Sequence, residues 1–348
     1  MIIWERIVVS AEWLLNNAEP VVRYRTLVEL LAIDDEALLQ NTMSALLTLP
    51  QTQKRLSLLH ALDYSKTHGS GMTNLENVLP MLNDFGLYYG MLAFDSEIKN
   101  IEDVATIVSN NKYDKLIAYP FLLRSKFPID GLIDFAVERA NKIHEFTQHM
   151  DFDIYDDPKN HKTPKAFHGR PIIKPSIAYD AISGEVNIKL PLIYDIVMFA
   201  EVYNHVSINT QSKIDNIINY ILSPGYDVVV PMYGIIPAPS RRYYAMGWDC
   251  KKPFNDRHNY SNQNLHRLLL YSCFPTAVRN TWFTNAINYL LQYKTQSGTF
   301  IFPKEYLVEK DCNWVLGTHM SLAENRRKRQ WLEVESTFYM LKLLNCTK

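Results

Sequence analysis

The run over residues 331–344 constrains the fold of this chain most. Trp331, Leu332, Val334, Phe338, Met340, Leu341, Leu343 and Leu344 fall on several faces of one helix, and a helix that is apolar nearly all round has to be buried among other elements. The approach to it, from Ala286 through Tyr289-Leu290-Leu291-Gln292 to Gly298-Thr299-Phe300-Ile301-Phe302-Pro303, reads as a helix end, a glycine turn and an aromatic loop.

Apolar residues at helical spacing predict helices over about 4–16, 20–31, 35–47, 74–84, 101–108, 130–150, 192–206, 211–222, 263–272 and 276–293, with a further amphipathic piece carrying Leu56, Leu58, Leu59 and Leu62. Pro20 suits a first helical position, Asn74 suits an N-cap, and Pro80 is placed to kink its helix. Arg23 and Arg25 flank Tyr24 near a helix start. The dipole disfavours cations there, so each calls for an acidic or carbonyl partner. Residues 116–123, interrupted by Pro120, read as extended. Residues 151–190 and 223–261 lack helical periodicity and are rich in Pro, Gly or Tyr. The first reads as an irregular insertion at about 151–190 within a single domain covering 1–348, because Phe152, Phe167, Ile172, Ile173, Ile177 and Tyr179 still need a core to pack on. Structureless stretches of that length are uncommon and often functional.

One heptamer recurs. Asn216-Ile217-Ile218-Asn219-Tyr220-Ile221-Leu222 and Asn285-Ala286-Ile287-Asn288-Tyr289-Leu290-Leu291 share five identities in seven. Each ends a helix and leads through a glycine (Gly225, Gly298) toward a proline (Pro231, Pro303). Ala11-Glu12-Trp13-Leu14-Leu15 is a weaker third copy. Repeated helix pairs imply stacked hairpins in an open solenoid or a closed ring, and the uneven spacing favours closure.

The stretch Tyr289-Leu290-Leu291-Gln292 to Gly298-Thr299-Phe300 resembles the helix end and Gly-aromatic turn, roughly L-L-x-x-Q-x-x-x-G-x-W, of the α/α-toroid superfamily of terpenoid cyclases and protein prenyltransferases. Trp13-Leu14-Leu15 followed by Pro20-Val21-Val22-Arg23-Tyr24-Arg25-Thr26-Leu27-Val28-Glu29-Leu30-Leu31 is similar to the opening of bacterial proteins in that group. The resemblance covers the two ends of the chain. It implies an all-α fold, an α/α toroid with concentric rings of helices around a central cavity, and long loops at its mouth. It says little about chemistry, since one fold hosts many functions.

The catalytic motifs of that superfamily are missing. No D-x-D-D acid occurs. Asp156-Asp157-Pro158-Lys159-Asn160 is a near miss, with an amide in the last place, to the D-D-x-x-D that class I terpene synthases use on a different helical fold, and reads better as a solvated acidic turn. Asp311-Cys312 with His319, or Asp249-Cys250 with His258 or His266, lack the Asp-x-Cys spacing of the prenyltransferase zinc site, so no metal site is assigned. No dinucleotide, P-loop, H-E-x-x-H or G-x-S-x-G motif is present, and the sequence names no cofactor.

What remains is a loop-borne constellation. Tyr233, Arg241, Arg242, Tyr243, Tyr244 and Trp248 suit ligand binding, the arginines as a clamp for carboxylate or phosphate and the rings as stacking surfaces. Asp249 with His258 or His266 suits an acid-base pair. Trp314, His319, Trp331, Glu333 and Glu335 are placed to approach the same mouth. The competing reading is structural: aromatics that pin a loop across the ring, arginines in ion pairs, and carboxylates that suit a helix N-terminus.

Charge and cysteine usage narrow the partners. Lys and Arg total 36 against 37 Asp and Glu, which gives no field for nucleic acid or an anionic membrane. No uncharged apolar run reaches the roughly eighteen residues a membrane span needs. Cys250, Cys273, Cys312 and Cys346 show no C-x-x-C spacing and accompany no secretory signal, as expected for reduced thiols in a cytoplasmic protein. Two functions stay open: a small-molecule site, isoprenoid-like or saccharide-like, in an aromatic-lined cavity, or a noncatalytic scaffold whose cavity is plugged by its own loops. Phe, Trp and Leu toward the cavity would favour an isoprenoid; Tyr, Trp, Asp and Arg would favour a saccharide. Oligomeric state is not encoded in any motif.

Overall fold

Prolines and short polar side chains start the helices. Pro20 and Pro50 each occupy a first turn, where the missing N–H leaves no bond unmade. Asp35 accepts from Leu38 N at 3.0 Å, Ser207 from Thr210 N at 3.3 Å and Asn280 from Trp282 N at 2.9 Å. Asn74 holds the N-cap position, but its side chain donates to the His68 carbonyl instead of accepting from the helix.

The computed structural model describes residues 2–62, 67–98, 112–179, 187–238, 242–245, 249–252 and 260–346, with backbone alone for 2–8, 112–113, 238 and 242–245. These residues form an all-α chain with a small sheet. In order the helices are α1 (Ile2–Asn17), α2 (Pro20–Arg25), which continues as a π-helical turn (Thr26–Leu30), α3 (Glu36–Leu47), α4 (Pro50–His60), α5 (Leu75–Asp84), α6 (Leu92–Asp95), α7 (Lys112–Arg124) and α8 (Leu132–Thr147). Then come α9 (Pro175–Ala178), α10 (Ile193–Val202), α11 (Ile208–Leu222), α12 (Asn262–Tyr271), α13 (Pro275–Val278), α14 (Thr281–Leu290) and α15 (Trp331–Cys346). The helix expected at 101–108 lies outside the described residues. No helix among the described residues is long and apolar enough to cross a membrane.

Three expectations are corrected. Residues 116–123, read as extended, lie in α7. Leu116, Ile117, Ala118, Phe121 and Leu122 are all buried, so the run shows no single stripe, and Pro120 sits within the helix. The helix expected over 276–293 divides at Asn280 into α13 and α14. The two irregular segments are joined: β1 (Tyr155–Asp156), β2 (Ile172–Ile173), β3 (Ile235–Ala238) and β4 (Arg242–Ala245) make one sheet in that order, with β2 and β3 parallel and the outer pairs antiparallel. Gly234 permits the crossing. Its φ is +115°, and a Cβ there would lie 2.2 Å from the Pro171 carbonyl oxygen, which accepts from Ile235 N at 2.8 Å.

Six segments pack in a circuit. α5 touches α7, α7 touches α10, α10 touches α12, α12 touches α15, and α15 returns to α2 and its π turn. The link from α2 to α5 is the Arg25 Nη1 bond to the Asp84 carbonyl at 2.7 Å, beside Gly86 under the Tyr24 ring. On the outside, α1 covers α15, α3 covers α2, α4 covers α5, and α8 packs on α10 and α11. The repeated heptamers end α11 and α14. The hydrophobic cluster runs through the whole circuit, from Leu14, Val21 and Leu79 to Phe121, Phe199, Leu268 and Phe338. Trp331, Val334, Phe338, Met340, Leu341 and Leu343 of α15 are buried, as an all-round apolar helix requires.

Candidate functional site

Each of the six segments contributes to one cavity of about 80 Å³, partly open to solvent: Arg25 from α2, Asp84 from α5, Arg124 from α7, Ala200 from α10, His266, Leu269 and Leu270 from α12, and Tyr339 and Lys342 from α15. Trp314 and Met320 enter from the loop before α15, and Cys273 lies just past α12.

Ion pairs fix the cationic side chains. Arg25 grips both oxygens of Glu29, one turn on, and Lys342 reaches the same carboxylate at 2.8 Å. Burial works against its charge, yet Arg25 and Lys342 hold the Glu29 carboxyl well below the usual carboxylate range. Arg124 bonds Asp84 and Glu201, each at 3.1 Å. Trp314 Nε1 donates to the other Asp84 oxygen at 2.6 Å, and the Arg124 guanidinium lies 5.2 Å from the Trp314 ring. The indole is also edge-on to Phe121 at 5.9 Å and to His266 at 4.5 Å.

The Trp314 loop is seated by backbone geometry. Asn313 and Gly317, both in the left-handed region, bracket a 3-10 turn. A Cβ at Gly317 would lie 2.7 Å from His266 Cβ, so the close approach to α12 depends on glycine. Asn262 Nδ2 donates to the Gly317 carbonyl at 2.7 Å, and Trp314 N donates to Asn77 at 3.0 Å.

Behind the wall, Arg267 is fully buried. Its guanidinium donates to the carbonyls of Val315 (2.6 Å) and Asp249 (3.2 Å) and faces His266 Nδ1 at 2.9 Å. Among the described residues no carboxylate pairs with it. Arg25, Arg124 and Lys342 share Glu29, Asp84 and Glu201, while Arg267, one layer further in, bonds only carbonyls and His266. An uncompensated buried cation is costly unless something neutralises it.

The residues expected from sequence divide sharply. His266 and Trp314 line the cavity. Asp249 is buried, but its carboxylate takes Lys252 Nζ at 3.0 Å; Arg267, bonded to the Asp249 carbonyl, stands between it and His266, and the two form no acid-base pair. Tyr233 is buried elsewhere, donating to the Pro191 carbonyl at 2.6 Å beside Tyr226. His319 is buried, with Nδ1 3.2 Å from the Lys310 carbonyl, and burial followed by Arg55 lowers it to about 4. Asp311, its neighbour in the weighed zinc set, is engaged by Lys54 and Arg55. Trp331 packs under Arg326 at 4.2 Å. Glu333 accepts from Thr299, and Glu335 from Leu322 N at 2.8 Å. Arg242, Tyr243 and Tyr244 form β4, with only their backbone described. His258, Arg241 and Trp248 lie outside the described residues. Among the described residues no cluster of three or more His, Cys, Asp or Glu is placed to hold a metal.

Sequence reasoning passed over Asp84, Arg124, Tyr339 and Lys342 as site residues, and took Arg25 only for an ion-pair partner. Lys342 carried a usable signal: it is the lone cation between Phe338 and Leu344 in a run that has to be buried. Comparison of the chain with family models, curated proteins and solved structures gives no match.

Proposed function

We propose that the circuit of helices is the inner ring of an α/α toroid, and that its central cavity binds a small polar molecule bearing an acidic group. The observation that supports this is the concentration of cationic side chains at the cavity, with Arg25, Arg124 and Lys342 on its wall and the buried Arg267, which has no carboxylate partner among the described residues, behind it. A carboxylate or phosphate entering there supplies the missing negative charge in a low-dielectric site. The lining combines Leu269, Leu270 and Met320 with Arg25, Asp84, Arg124, Tyr339 and Lys342, and it is the charged and tyrosine side chains that favour a saccharide-like molecule. At about 80 Å³ the space lies below the roughly 300–1,000 Å³ of drug-sized ligand sites, so it takes the acidic end of a ligand, and its charged side chains rather than its size disfavour an isoprenoid. The reading is one of binding rather than of a reaction, because no acid-base pair faces the cavity among the described residues.

Calorimetric titration with sodium glucuronate, glucose and geraniol tests it. Glucuronate binds, glucose binds more weakly, geraniol does not bind, and Lys342→Met weakens glucuronate binding about tenfold or more, the loss of a charge-assisted contact. Preference for geraniol over glucuronate would overturn the reading.

A second reading, a scaffold whose centre is closed by its own loop, draws on Trp314, which fills the space between Phe121, Arg124 and His266. Binding of glucuronate to Trp314→Ala but not to the wild type would put this reading in place of the first.

A further inference from the structure

The two nitrogens of His266 have different fates, and the difference identifies what the cavity can hold. Nδ1 lies 2.9 Å from Arg267 Nη1. A guanidinium can only donate, so Nδ1 must accept, and the neutral ring carries its proton on Nε2. Protonating Nδ1 as well would set donor against donor and cation against cation inside a buried wall. Burial, Arg267 and Arg124 accordingly hold His266 well below the usual imidazole range. The ring is a permanent donor.

That donor has no acceptor among the described residues. His266 Nε2 is buried and makes no hydrogen bond, and the same holds for Arg124 Nε, whose two terminal nitrogens are taken by Asp84 and Glu201. His266 and Arg124 both line the cavity and both rest on the Trp314 ring, one edge-on and one over the face. Buried donors left unpaired each cost about 1–3 kcal/mol and are rare in native proteins. The one carboxylate on this wall is already engaged, Asp84 taking Arg124 on one oxygen and Trp314 on the other, and it repels an incoming oxyanion rather than filling the two free donors. A hydroxyl would bring a proton that needs an acceptor of its own, and an ammonium would bring three.

Resting on the reading of the cavity as a ligand site, the geometry points to an oxyanion, a carboxylate or phosphate carried by the ligand, as the group bound there, held by His266 Nε2–H and Arg124 Nε–H. Arg267 is a positioning residue that acts through His266 by fixing its tautomer. The class of ligand is thereby narrowed from polar to acceptor-only at this end.

Two measurements test this on the full chain. Long-range ¹H–¹⁵N correlation spectra of protein labelled at histidine report the tautomer directly, and at neutral pH the wild-type His266 ring is expected in its Nε2–H form. Titration with inorganic phosphate and with sodium glucuronate is expected to show binding of both, weakened about tenfold or more in His266→Phe, with much of the loss restored in His266→Gln, whose amide N–H can donate in place of Nε2–H. An Nδ1–H or doubly protonated ring in the wild type, or His266→Phe binding both anions as tightly as the wild type, overturns the inference while the cavity reading stands. Failure of both anions to bind the wild type overturns the cavity reading and this inference with it.

Discussion

The Arg124 guanidinium lies 5.2 Å from the Trp314 ring, and the two side chains divide the Asp84 carboxylate between them, Arg124 at 3.1 Å on one oxygen and Trp314 Nε1 at 2.6 Å on the other. This shared anchor ties the loop before α15 to the C-terminal ends of α5 and α7. Asp84→Asn should lower stability by about 2 kcal/mol, between the roughly 0–1 kcal/mol of exposed ion pairs and the roughly 3–5 kcal/mol of broken buried ones. Urea denaturation measures the change, and a loss near zero would mean that the three groups do not act as an anchor.

Arg139 and Asp195 form the most deeply buried ion pair among the described residues. Arg139 Nε and Nη2 bond the two Asp195 oxygens at 2.9 and 2.8 Å, Nη1 donates to the Ile188 carbonyl at 2.7 Å, and Asp195 also accepts from Leu192 N at 2.8 Å at the start of α10. Arg139→Met leaves an unpaired buried carboxylate and should cost about 3–5 kcal/mol. Denaturant unfolding checks this; a loss under about 1 kcal/mol, as in an exposed pair, would contradict it.

Stability should fall as pH rises above neutrality. Burial pushes Glu324 up to about 8, with Glu335 and Glu19 adding to the shift, and burial pushes Glu335 up to about 7 against Arg326. A carboxyl raised in the folded state contributes stability that is present below its unfolded value and is lost as pH climbs through the folded one. His266 and His319 are lowered, mainly by burial, so their contribution has the opposite sign and is lost as pH drops below 6.5. Between about 4.5 and 6.5 the two effects oppose each other; from 6.5 to 8 the carboxyls dominate, with His68, raised by its bond to Glu76, adding to the same sign. Thermal unfolding across pH 6.5–8 should show a falling Tm that flattens in Glu324→Gln/Glu335→Gln. An unchanged slope in that variant would assign the effect elsewhere.

The helical class was legible because period and caps are local properties. The all-round apolar pattern at 331–344 demanded burial, and α15 is buried. Arg23 and Arg25 were expected to find acidic or carbonyl partners, and do, in Ala18, Glu29 and the Asp84 carbonyl. Segment 116–123 was misread because burial on several sides erases the stripe that separates helix from strand. The small sheet escaped because its strands are two to four residues long, and its parallel pair joins positions 172 and 235. The cavity escaped for the same reason on a larger scale: Arg25, Asp84, Arg124, His266 and Lys342 sit on five different helices and share no spacing. Aromatic-rich loops drew attention to Tyr233 and Asp249, whose polar atoms are committed to the loop's own packing.

The central claim is that the space enclosed by α2, α5, α7, α10, α12 and α15 is a site for an acidic small molecule. A crystal structure of the protein soaked in sodium glucuronate tests it most directly. Ligand density is expected in the cavity, with the carboxylate within hydrogen-bond reach of His266 Nε2 and Arg124. A cavity left empty or holding only water at saturating glucuronate, with Trp314 unmoved, would contradict it.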